Sequence, residues 1–185
     1  MKTVRFMCFE TNSSSVHSLI IRNKKETTWI SPDQIRNIAR HNGGVIPVTP
    51  GEYGWSGPIV DNFKEKLRYI MTMIFQNFKY NRETKTFRSA DEVLELGKES
   101  KDWKEVCDEV LTYADVELLP VISDTDFYID HQSAFLEIHD FLGDMALPQY
   151  LFDEDVGVYI SNDNLYEEDE KEIEQEMKKG GWKYL

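Results

Sequence analysis

Two histidines, His17 and His131, stand in polar runs dense in hydrogen-bonding side chains. The first run is ETNSSSVHS, residues 10–18, and the second is YIDHQS, residues 128–133. An imidazole changes charge near neutral pH, so two of them sharing a cleft suffice for metal-free RNA cleavage. One takes the proton of a ribose 2'-hydroxyl and the other protonates the leaving 5'-oxygen. On this reading His17 and His131 are the acid and base, and Glu52 or Asp130 orients one of the rings. Asn12, Ser13, Ser14, Ser15, Gln132 and Ser133 orient substrate, of the three serines at most one touching it. Trp55 joins them from the GEYGW loop, where its ring could stack on a base and the glycines let a ligand approach the backbone. The reaction needs no cofactor. The same histidines with Glu10, Glu52 or Asp130 could instead hold a divalent metal, but no ligand spacing of the HExxH kind is present.

Each feature also has a plainer reading. Thr, Asn and Ser bond their own backbone in tight turns, so ETNSSS alone reads as a hairpin loop. Asp130 or Ser133 can cap a helix, and a Trp packs more often than it recognises. The histidines are less easily absorbed. Alternation along VHSLIIR puts His17 on the face of Leu19 and Ile21, at the loop end of the strand. His131 and Gln132 fall where a strand passes into a helix and backbone amides are free. His41 at a helix end and His139 within a helix need no function.

The elements that must position these residues are legible from period and punctuation. VRFMCF and VHSLIIR read as a strand and a returning strand. ISPDQIRNIARHNGG is a short helix with Ser31 as N-cap, Pro32 at its first position, Gln34 completing a capping box and Gly43 and Gly44 as its stop. Residues 45–58, VIPVTPGEYGWSGP, hold three prolines and three glycines and read as a loop. Phe63, Leu67, Ile70, Ile74 and Phe78 form one stripe of a long helix, the expected centre of the core. SADEVLELG and KDWKEVCDEVLTYA predict two more helices, the second with Trp103, Val106, Cys107, Val110 and Leu111 on its stripe. VELLPVIS, FYID and VGVYI read as extended, NDN at 162–164 as a turn, SAFLEIHDFLGDM as a helix ending near Gly143, and EEDEKEIEQEMKKGG as a polar helix. The sum is an α+β protein, a single compact domain with a small, mainly antiparallel sheet and about five or six helices against it.

Composition narrows the partners. The 185 residues suit one domain, and the net charge of −13 divides unequally. Residues 1–90 carry 14 Lys and Arg against 7 Asp and Glu, while residues 91–185 carry 7 against 27. The basic half could hold a phosphate backbone, and the acidic half could imitate one or simply keep the chain solvated. Cys8 and Cys107 are the only cysteines and read as small hydrophobes in a reducing compartment, without a cysteine-type zinc site. No apolar run approaches the roughly 20 residues a membrane span needs, and no apolar leader opens the chain. These features predict a cytoplasmic protein with no membrane partner. They do not fix an oligomeric state.

FETNSSSVHS at 9–18 resembles the opening FETNSSSxHS of a group of uncharacterised proteins from phages, plasmids and Gram-positive bacteria. GEYGW, KEKLRYI, YIDHQS and SNDN resemble further patches of that group in the same order, across most of the chain. The mobile-element setting implies counter-defence, including anti-CRISPR inhibition of an effector such as Cas9. Some inhibitors of that kind cut guide RNA, and others fill a nucleic-acid channel with acidic side chains. The resemblance carries no mechanism of its own.

Overall fold

The structure is a computed structural model, and it describes residues 16–22, 27–53, 60–129, 137–162, 175 and 183–184. At its centre lies α2, Phe63–Gln76, whose first turn is closed by Asn62 accepting the Glu65 N–H. Phe63, Leu67, Ile70 and Ile74 of the predicted stripe are buried, but so are Lys66, Tyr69, Met71, Thr72, Met73 and Phe75. A helix buried nearly all round lies inside the protein rather than on one layer of it. Five further helices lie among the described residues: α1, Pro32–Arg40; α3, Ala90–Glu99; α4, Lys101–Ala114; α5, Ile138–Leu142; and α6, Leu147–Phe152.

The predicted starts at Ser31 and Ser89 hold, whereas the helix predicted over 133–145 is helical, among its described residues, only from Ile138 to Leu142, with Glu137 still extended. Ser31 and Gln34 form the capping box of α1, and Ser89 and Glu92 form that of α3. Ser100 ends α3 and caps α4, which stops at Asp115 in the left-handed region. Trp103, Val106 and Val110 are buried as the stripe predicts, whereas Leu111 is exposed. The start of α5 has no side-chain cap of its own. Asp102 of α4 accepts the Ile138 N–H instead, at 2.9 Å. The short α6 is too brief for a periodic signature, and it packs Leu147, Tyr150, Leu151 and Phe152 into the core.

Among the described residues the strands form four small sheets. β1, Val16–Arg22, lies between β8, Val156–Asn162, and β9, Lys183–Tyr184, antiparallel to both. β4, Tyr80–Asn81, and β5, Thr86–Phe87, make a hairpin. The proline- and glycine-rich segment read as a loop instead supplies β2, Val45–Val48, and β3, Glu52–Tyr53. These pair in parallel with β6, Glu117–Pro120, and β7, Tyr128–Ile129. Pro47 is tolerated because Val48 turns its carbonyl to Val121, so the nitrogen of the adjacent Pro47 faces away from β6, where no described strand pairs. The helices α2, α3 and α4 supply the crossover that parallel pairing requires. The fold is thus mixed α+β, with its parallel pairs beside antiparallel ones. VRFMCF and nearly all of the acidic tail lie outside the described residues.

Candidate functional site

Strand register decides which polar segments meet. β3 and β7 run side by side in the same direction, with Glu52 opposite Tyr128 and Tyr53 opposite Ile129. Both strands therefore end together, one leading on toward Trp55 and the other toward Asp130 and His131. The Tyr128 N–H donates to Gly51 O at 3.1 Å, and Gln76 of α2 accepts the Ile129 N–H at 2.8 Å, which pins this end to the central helix. Glu52 is exposed. A second register joins the other two polar segments. β1 and β8 pair so that His17 stands opposite Ser161 and Val16 opposite Asn162. The residues that follow ETNSSS and those that open SNDN, separated by almost the whole chain, are thus paired at one end of that ladder.

Val60 is the first described residue after β3. It bridges Val158 of β8 antiparallel, with two backbone hydrogen bonds of 2.8 Å. Gly157 makes the approach feasible, since a Cβ there would stand 2.8 Å from Val60 O. The side chain of His17 and the residues Asn12, Ser13, Ser14, Ser15, Trp55, Asp130, His131, Gln132 and Ser133 lie outside the described residues. Of the predicted histidines without a role, His41 is the C-cap of α1, and His139 faces Glu105 at 3.1 Å on the surface. Burial pushes the Cys107 thiol up to about 11, in keeping with a small apolar role.

At the opposite end of the β1–β8 ladder from His17 and Ser161 lies a buried charged cluster that sequence reading did not single out. Asp153 is fully buried, and its carboxylate accepts from the Arg22 guanidinium, the Thr28 N–H and the Asp155 N–H. Its backbone carbonyl accepts from the Lys66 ammonium at 2.6 Å. One residue thereby ties β1, the approach to α1, α2 and the start of β8 together. Burial pushes Lys66 down to about 8, against the pull of Asp153, Asp61, Glu154 and Asp155. Its signal in the sequence is a lysine on the apolar stripe, one turn after Phe63 and one before Ile70.

Next to Lys66 the rings of Tyr53, Tyr69, Phe141 and Tyr150 follow one another at 5.0 to 5.5 Å. Neither the Tyr53 nor the Tyr150 hydroxyl has a hydrogen-bond partner among the described residues. Burial pushes the Tyr150 phenol well above its ordinary value, with Tyr69 and Tyr53 adding to the shift. An open pocket of about 370 Å³ lies between α1, α2 and α6, with Lys66 and Glu154 in its wall.

Among the described residues no three His, Cys, Asp or Glu side chains are grouped to hold a metal ion. No helix there is long and apolar enough to cross a membrane. No protein-family model, curated protein or solved structure matches the chain.

Proposed function

We propose that the protein is a phage or mobile-element counter-defence protein that acts in the host cytoplasm by cleaving a phosphodiester in RNA, guide RNA being the candidate substrate. The observation that carries this reading is the parallel pairing of Glu52 and Tyr53 with Tyr128 and Ile129, which brings the chain leading to Trp55 beside the chain leading to His131. The β1–β8 register supports it by setting His17 against Ser161. In the reaction His17 takes the proton of a ribose 2'-hydroxyl, the oxygen attacks phosphorus, the bond to the 5'-oxygen breaks, and His131 supplies the proton to that leaving oxygen. Glu52 or Asp130 orients an imidazole, and Asn12, Ser13 to Ser15, Trp55, Gln132 and Ser133 hold the strand. The test is incubation of the purified protein with labelled guide RNA in EDTA. Wild type cuts, and His17→Ala and His131→Ala each slow cutting by about 100-fold or more. Intact RNA under conditions where the protein still inhibits its target contradicts the proposal.

A second reading has one observation in its favour. Glu105, Asp108 and Glu109 crowd one side of α4, and burial with the two neighbouring charges raises the Glu109 carboxyl. Such a surface suits an inhibitor that imitates nucleic acid and fills the basic groove of an effector such as Cas9. It predicts inhibition that survives His17→Ala and His131→Ala. Neutralising Glu167, Glu168, Asp169 and Glu170 would weaken it.

A further inference from the structure

The hairpin that follows α2 displays the most exposed aromatic side chain of the described residues. Tyr80 and Phe87 are register partners across β4 and β5, and their rings meet edge to face at 5.4 Å. That contact leaves 43% of Tyr80 and 78% of Phe87 open to water. A cross-strand aromatic pair steadies a ribbon, yet steadying it does not require a phenyl ring almost wholly exposed. Arg82 and Lys85, in the turn between the two rings, are exposed, and neither forms an ion pair with a described residue. In a chain of net charge −13, residues 79–88 hold four basic side chains against the single acid Glu83.

The hairpin is also held in shape by its own residues. Asn81 Oδ1 accepts the N–H groups of Glu83 and Thr84, Lys85 takes the left-handed conformation, and the Thr84 and Thr86 hydroxyls bond at 2.8 Å. Arg88 closes the base by donating to the carbonyls of Phe78 and Tyr80. Lys79 donates to Phe127 O at 2.7 Å and lies over the Phe127 ring. The cations at the base are thus engaged with the scaffold, and the two at the tip are not. The Lys79 bond anchors the hairpin to the residue just before β7.

We infer that this hairpin is a binding arm for single-stranded nucleic acid, with bases stacked on Phe87 and Tyr80 and phosphates against Arg82 and Lys85. Stacking on an aromatic ring tolerates any base but needs its face uncovered, which a single strand offers and a duplex does not. The inference rests on the nucleic-acid substrate proposed above and adds a surface that grips the strand with residues other than those proposed for cleavage.

The test is fluorescence anisotropy of the full chain with a labelled single strand of about 12 nucleotides. It is run as DNA, which lacks the 2'-hydroxyl and stays uncut, and as RNA. Phe87→Ala weakens binding by about 5- to 150-fold, whereas Phe87→Trp retains it. Phe87→Leu, apolar but without a π face, behaves like Phe87→Ala, and circular dichroism checks that each variant folds. The double variant Arg82→Gln, Lys85→Gln weakens binding and flattens the slope of log affinity against log salt by about 1.4, roughly 0.7 for each phosphate contact. Wild-type affinity in Phe87→Ala, equal affinity in Phe87→Leu and Phe87→Trp, or no binding of either strand by wild type overturns the inference. Phe87-dependent DNA binding with RNA left uncut keeps the arm and rejects the nuclease. Histidine-dependent cutting with binding indifferent to Phe87 does the reverse.

Discussion

Adding a single methyl group at Gly157 tests how closely Val60 docks on β8. An alanine Cβ there would stand 2.8 Å from Val60 O and 3.3 Å from Asp61 Cα. A carbon and an oxygen in contact need about 3.3 Å, so the backbone at Val60 must retreat by roughly half an ångström. It cannot rotate aside as a side chain would. Val60 and Val158 are both buried and exchange two hydrogen bonds of 2.8 Å, so the shift strains or breaks both. Losing them costs about 2 to 4 kcal/mol, counting buried groups left unpaired. Replacing glycine in a strand ordinarily returns about 0.5 to 1 kcal/mol. The net destabilisation is about 1 to 3 kcal/mol, or about 3 to 10 °C in Tm for a chain of this size. Urea unfolding measures the total, and amide hydrogen exchange at Val60 and Val158 locates it. An alanine variant as stable as wild type, with both amides still protected, would refute the reasoning.

Other perturbations bear on the buried cluster. Asp153→Asn turns an amide toward Arg22 and leaves Arg22 and Lys66 short of a counter-charge, a loss of about 3 to 5 kcal/mol in urea unfolding. Folding lowers Lys66 from 10.5 to about 8, so between those values the unfolded chain binds more protons. The stability this group contributes is therefore full above 10.5 and lost as pH falls through 8. The stability of wild type relative to Lys66→Met accordingly rises by up to about 1 kcal/mol per unit from pH 8 to pH 10, and a flat or falling difference contradicts the assignment. Two tyrosines give opposite outcomes. Tyr113→Phe loses the 2.8 Å bond to Ile30 O and about 1 kcal/mol, while Tyr150→Phe, whose hydroxyl has no partner among the described residues, is neutral or slightly stabilising by thermal melting.

Local signals carried most of the helical architecture. The capping boxes at Ser31 and Ser89, and the left-handed Gly43 and Gly44 after α1, follow from side chains within a few residues of each backbone group they satisfy. The parallel pairs were not legible, because their partners lie about 70 residues apart and the segment 45–58 advertises turns. A proline reads as a breaker until the edge it faces is known. Asp153 and Lys66 were missed for a related reason. A charge on an apolar stripe looks like an interruption, and Lys66 and Arg22 meet at Asp153 only in three dimensions. Of the candidate site, the sequence supplied the residue types, and the two registers supplied the neighbours.

The most direct measurement is the chemistry of the RNA ends after incubation with the protein in EDTA, read by mass spectrometry. Two histidines acting through the ribose 2'-hydroxyl predict a 2',3'-cyclic phosphate and a 5'-hydroxyl, and no cutting at a site carrying a single 2'-deoxy substitution. Fragments ending in 5'-phosphate and 3'-hydroxyl, formed only when a divalent metal is supplied, would contradict the account.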